Sequence, residues 1–359
     1  MSSARAWLHR LQQLPLDSPV RVMNVCGGHE RTISQSGLRS LLPEGIELIP
    51  GPGCPVCICP EEDIYAAIRY GLEQELTVLA YGDMLRVVVN APKGTPRSLE
   101  QARAAGADVR PIASPMEAVA IARAQPEKKT VFLAAGFETT TAPLAAQILQ
   151  GLPDNLLLLM AARLTWPAVA MLLDSGEAGF DALIAPGHVA AIMGAKEWEF
   201  VCRDHHLPVA VSGFSTESLL EALYHVVRQH LEGRAELQNC YPEVVKADGN
   251  RAAQAMLRQV FQVAEAGWRG IGAIPASGLD LRHPWQEHDA RFQLPDYRAE
   301  ARRRAGEMPP GCACSEVVLG KRYPDACPLY GSACTPTTPI GPCMVSDEGA
   351  CQIWWRHRI

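Results

Sequence analysis

The stretch Thr130-Val-Phe-Leu-Ala-Ala-Gly-Phe-Glu-Thr-Thr140 decides the fold class. Its first six residues form an almost wholly apolar run of strand length, and a Gly-rich polar turn follows at once. A strand without polar alternation is buried on both faces, as in parallel sheets covered by helices. The same pattern recurs on both sides. Val20–Val25 leads into Cys26-Gly-Gly-His-Glu30, Ile46–Ile49 into Gly51-Pro-Gly-Cys-Pro-Val-Cys57, and Leu76–Ala80 into Gly82-Asp83. Ala182–Ala185 leads into Pro186-Gly-His188, and Leu207–Val211 into Ser212-Gly213. Asn155–Met160 is a further buried run.

Helix starts lie between these runs. Ser114-Pro-Met-Glu117 and Ser98-Leu-Glu-Gln101 are capping boxes, and Pro60-Glu-Glu-Asp63 puts three acids in a first turn. Longer helices are expected over Ser215–Glu232 and Asn250–Gly267. The alternation predicts an α/β protein with two Rossmann-like parallel-sheet domains, at 21–121 and 122–230. A third, helical and irregular part, 1–20 with 231–359, carries the cysteine-rich tail. Ligands in open parallel sheets bind beyond the carboxyl ends of strands. The polar motifs all sit there, so they are expected to converge on one crevice or on two facing ones. Position alone marks Glu138 and His188 as candidate functional residues, although a single Glu or His is more often structural.

Composition narrows the function classes. The chain has 359 residues, 48% hydrophobic and 20% charged, with net charge −6. An acidic chain is a poor nucleic-acid binder. No apolar run approaches the roughly 20 residues of a membrane span. The N-terminus has no apolar signal core, so a cytoplasmic location is expected.

The 12 cysteines are clustered. Four lie between Cys26 and Cys59 and six from Cys312 onward, while Cys202 and Cys240 stand alone and read as small buried hydrophobes. In a reducing compartment, clustered thiols point to metal or redox chemistry. From Cys314 the tail reads C-x12-C-x6-C-x16-C through Cys327, Cys334 and Cys351 if Cys343 is skipped. Four thiolates suit a [4Fe–4S] cluster. Structural zinc sites favour paired C-x2–4-C knuckles, which the tail lacks. In the N-terminal group, Cys26 and His29 are spaced so that they can share a metal, iron included, and the motif alone fits a strand-end thiol beside a surface His equally well. Cys54-Pro-Val-Cys57 is a dithiol motif ahead of a helix, able to cycle between thiol and disulfide.

Together, Cys26-Gly-Gly-His29, Gly51-Pro-Gly-Cys-Pro-Val-Cys57, Gly136-Phe-Glu-Thr-Thr140, Pro186-Gly-His-Val189 and Cys334-Thr-Pro…Cys343-Met-Val-Ser-Asp-Glu-Gly349 resemble the HypD family of hydrogenase maturation factors. The resemblance runs from about Val22 to Trp354. It implies a scaffold and electron donor for the Fe(CN)2CO group of [NiFe]-hydrogenase, working with a HypC-type chaperone and a HypE-type cyanide donor. By the same resemblance Cys26 is the ligand of a transient mononuclear iron, with His29 beside it. Cys54 and Cys57 are the redox dithiol. Cys314, Cys327, Cys334 and Cys351 hold the cluster, and Glu348 is an acidic residue needed for assembly. Ser315 stands where the family usually has Gly, and Cys59 is an additional sulfur.

On this reading, electrons pass from cluster to Cys54/Cys57 to the iron at Cys26. The main rival is a protein disulfide reductase resembling ferredoxin:thioredoxin reductase, which needs no iron at Cys26. A second rival is a scaffold whose cluster is only structural.

Overall fold

The computed structural model describes residues 3–176, 178–302 and 308–357. Eleven strands are present among them: β1 (Val20–Asn24), β2 (Ile46–Pro50), β3 (Thr77–Tyr81), β4 (Val109–Ile112), β5 (Thr130–Gly136), β6 (Leu156–Ala162), β7 (Ala182–Pro186), β8 (Val209–Ser212), β9 (Leu237–Cys240), β10 (Phe261–Trp268) and β11 (Gly272–Leu281). Nine of them form two all-parallel sheets, one ordered β2-β1-β7-β8-β9 and the other β4-β3-β5-β6. Every residue of β5 and β6 is buried, as their unbroken apolar runs require. The protein is therefore α/β, with two Rossmann-like sheets and a helical and irregular remainder.

The division at 121/122 does not follow the sheets. It separates β3 and β4 from β5, although β3 pairs with β5 in parallel. The chain lays down β1 and β2, leaves to build the whole four-stranded sheet, and returns for β7 to β9. Strand alternation along a sequence counts strands but carries no signal for which sheet each one joins. The N-terminal segment is not part of a third domain either. Its helix Ala4–Gln12 buries Trp7 and Leu11 in the core of the five-stranded sheet, with Val20, Ile184 and Leu223.

The expected helix over Asn250–Gly267 is half right. Asn250 caps a helix, Arg251–Val260, by accepting the Ala253 N–H at 3.1 Å. The chain then turns into the antiparallel hairpin β10–β11. Val260, Phe261, Leu279 and Leu281 join Phe132 and Leu158 in the core of the four-stranded sheet, so tertiary packing outweighs local helical pattern here. By contrast, Ser98 and Ser114 cap helices as their sequence signals predict, and Ser215 caps the helix expected to start there.

The chain crosses from the first sheet to the second through residues 51–59, the segment that holds Cys54 and Cys57. From Cys312 onward it forms short helices and turns that pack on both units. Among the described residues no helix is long and apolar enough to cross a membrane.

Candidate functional site

Strand-end loops of both sheets surround a cleft of about 1060 Å³. Cys26 enters it from β1, Asp83 from β3, Thr139 and Thr140 from β5, His188 from β7, and Glu348 from the tail. Five of the six strand-end motifs thus meet at one cleft between the two sheets, while Ser212 and Gly213 do not line it.

Cys26 precedes the helix Gly27–Gln35. Burial pushes its thiol up to about 11, and the charge of Glu348 adds to this, while the backbone amides of His29 and Gly28 oppose it. The two glycines are dictated by close approach. A Cβ on Gly27 would run into the Glu348 backbone, and one on Gly28 would lie 2.8 Å from the Phe214 ring. The Gly-Gly pair therefore brings Glu348 and Phe214 against the sulfur-bearing turn.

His29 is fully buried. Its Nε2 lies 3.1 Å from the Ser212 carbonyl, which only accepts, so Nε2 carries the hydrogen. Burial lowers its pKa to about 4, making the ring neutral at pH 7. Nδ1 is left as a lone pair with no hydrogen-bond partner among the described residues. Phe214 packs against both imidazoles, 4.8 Å from the His29 ring and 3.9 Å from that of His188. Nothing in the sequence marked Phe214; it is read only from the two rings it touches.

Cys54 and Cys57 are joined in a disulfide. They open a one-turn helix, Pro55–Ile58, rather than the longer Glu61–Glu73 that follows it. The Cys57 N–H donates to Cys54 Sγ at 3.2 Å. Cys59 is completely buried just beyond them. A second, narrow cavity of about 10 Å³ is lined by Cys26, Cys54, Cys57, Glu348 and Cys343. This cavity joins the N-terminal thiols to the tail.

Asp83 explains how the tail is held there. Its carboxylate accepts from the Ser346 hydroxyl at 3.0 Å and from the Asp347 N–H at 3.1 Å. That fixes the loop ending in Glu348, whose own pKa burial raises. Glu138 is turned away from the cleft. Its carboxylate is wholly buried and accepts the Thr165 N–H at 2.7 Å and hydroxyl at 2.8 Å. It ties the β5 loop to the β6 loop, while its neighbours Thr139 and Thr140 face the cleft.

In the tail, the sulfurs of Cys314, Cys343 and Cys351 all lie within 4.8 Å of one another, and all three residues are buried. Hydrogen bonds from Cys314 and Cys343 lower the Cys351 thiol to about 6, and Cys327 and Cys334 are close enough to act on its charge. Cys312 lies against Cys314. The Ile340 N–H donates to Cys334 Sγ at 3.3 Å. A side chain at Gly341 would strike the sulfurs of Cys312 and Cys314. A buried nest of thiols this close together fits a thiolate-bound metal group. Cys343, skipped in the spacing argument, sits inside this nest. Spacing counts residues between thiols but does not show which loop folds back.

The family model HypD, described as "Hydrogenase formation hypA family", matches residues 2–358. The "Hydrogenase maturation factor HypD" of Rhodobacter capsulatus is 39% identical over 345 residues, covering 95% of this chain and 90% of its own length. The protein of the same name from Escherichia coli is 37% identical over 346 residues, with the same coverage. The "Putative hydrogenase expression/formation protein MJ0993" of Methanocaldococcus jannaschii is 36% identical over 344 residues, covering 94% of this chain and 92% of its own length.

Proposed function

This chain belongs to the HypD family of hydrogenase maturation factors, and on that premise we propose that its cleft holds the iron on which the Fe(CN)2CO group of a [NiFe]-hydrogenase is built. The observation that carries this reading is the meeting of Cys26, the Cys54–Cys57 disulfide and Glu348 around one narrow cavity. The neighbouring cleft has room for a segment of a partner protein.

Iron(II) is the cargo. Cys26 supplies one soft ligand, and a HypC-type chaperone supplies a second thiolate, leaving positions open for cyanide and carbonyl. Cys26 is a thiol at neutral pH, so iron binding displaces its proton. Glu348, its own pKa raised, stands beside it to accept that proton. His29 offers the unpartnered Nδ1 lone pair.

Cyanide arrives as a thiocyanate on the C-terminal cysteine of a HypE-type partner. Cleaving its S–C bond to a thiolate and cyanide takes two electrons. Oxidation of the Cys54/Cys57 dithiol to the disulfide seen in the structure releases two electrons, so the step balances. A [4Fe–4S] cluster, when bound by four of the tail thiolates, supplies reversible electron storage. The chain's part is to keep those thiols buried and next to the disulfide, with Cys343 belonging to both environments.

Iron and acid-labile sulfide counts on anaerobically purified protein test this reading against a disulfide reductase. About four irons alone and about five with the small partner are expected, the extra iron being lost in Cys26→Ala. An iron count that stays near four with the partner bound favours the reductase and overturns the proposal.

A further inference from the structure

Cys240, which stands alone in the sequence, has company in the fold. It ends β9, the edge strand of the five-stranded sheet. The helix Thr216–Leu231 lies over that edge, and Glu221 and His225 are four residues apart on it, hence on one face. A carboxylate oxygen of Glu221, a ring nitrogen of His225 and Cys240 Sγ all lie within 4.8 Å of one another. We propose that Glu221, His225 and Cys240 form a binding site for one divalent transition-metal ion of the zinc type, separate from both thiol groups described above.

The donor set makes the argument chemical. Zinc accepts thiolate, imidazole and carboxylate alike, at about 2.0–2.3 Å. Tetrahedral bonds of that length place donors about 3.5 Å apart, which small side-chain adjustments reach from the present spacing. Calcium and magnesium prefer all-oxygen sites and are excluded by the sulfur. Cys240 is 5% exposed, while Glu221 and His225 are half-buried, so an ion can enter from the helix side. Among the described residues, no hydrogen bond or ion pair engages any of the three donor groups.

The surroundings hold the donors in place. The Ser218 hydroxyl donates to the Cys240 carbonyl at 3.1 Å and ties the start of the helix to the end of β9. The His225 ring packs against Trp7 at 5.8 Å and Tyr224 at 5.6 Å. Glu217 and Glu243 add negative charge near Glu221. Arg10 and Arg228 face His225. Arg228 is already paired with Glu232 and Arg10 lies over the Trp7 ring, so neither is committed to the three donors. Binding the ion displaces the Cys240 thiol proton. Three protein ligands leave one position for water. The consequence is mechanical: the ion pins the edge strand to its covering helix. Cys240 is in register with Ser212, whose carbonyl orients His29, so the brace lies next to the cleft but outside it.

The test uses full-length, cluster-loaded protein under anaerobic conditions. Zinc is added by equilibrium dialysis, with zinc and iron counted by elemental analysis. The expected result is one zinc that His225→Ala and Cys240→Ser bind at least tenfold more weakly, with iron unchanged, and that Cys26→Ala retains. In the wild type, the same zinc slows alkylation of Cys240, located by mass spectrometry, by a similar factor. Glu221→Gln keeps helix and side-chain size, and so reports even where another variant fails to fold; it weakens the same zinc. Equal zinc affinity in His225→Ala and Glu221→Gln, or Cys240 alkylation indifferent to zinc, overturns the proposal.

Discussion

The two groups of cysteines solve the same problem by opposite means. The N-terminal group sits on strand ends. Cys26 follows β1, and Cys54 and Cys57 follow β2, so paired parallel strands fix where the sulfurs lie. The tail has no such frame: its thiols are carried by short helices and turns. Their electrostatics differ in the same sense. Burial holds Cys26 as a thiol, with a pKa pushed up to about 11, while neighbouring thiols hold Cys351 near 6. A site held by the sheets keeps its shape without metal, whereas on the proposed function the loop-built site gains order from the metal it binds.

The largest expected effect follows from that dependence. Chelation of iron, or Cys351→Ala, should open the segment from Cys312 to Cys351 to proteases while the sheets persist. Limited proteolysis with mass mapping and far-UV circular dichroism check this. A tail as resistant as before would erase the contrast. Next in size, Cys54→Ala should keep its iron and sulfide content but block cyanide uptake, read by iron–cyanide infrared bands after incubation with partners. Normal bands in that variant would refute the dithiol's role. A smaller effect is expected from Gly28→Ala. The new methyl meets the Phe214 ring, and overpacking of this kind costs about 1–3 kcal/mol, visible as a lowered Tm with the cluster retained. The smallest effect is electrostatic. Glu348→Gln removes a charge that raises the Cys26 pKa, so the pKa falls and more thiolate exists at a given pH. Alkylation of Cys26 near pH 8 should be faster in the variant, and an unchanged rate would show that Glu348 does not act on this sulfur.

Legibility in the sequence followed the range of the forces involved. Apolar runs and helix caps are local, and β5, β6 and the Ser98 and Ser114 caps all appear where their residues indicate. The Gly-rich strand ends marked the cleft correctly, because parallel sheets leave their carboxyl ends open. Sheet membership is non-local, so the excursion between β2 and β7 could not be read from alternation. The strand β10 is buried only at its ends, Phe261 and Trp268, so its middle carries no core-strand pattern and its start reads as a continuing helix. Phe214, Cys343 and the Glu221–His225–Cys240 group depend on loops or elements meeting across long sequence separations. Glu138 was legible as a strand-end residue, but not its inward hydrogen bonds to Thr165.

Iron bearing cyanide at the first strand-end sulfur is the claim on which the functional account stands. Infrared spectroscopy of protein co-purified anaerobically with its small partner reads it most directly. The account predicts cyanide and carbonyl stretches of an iron centre in the wild type and their loss in Cys26→Ala with the tail cluster intact. The same bands at the same strength in Cys26→Ala would contradict it.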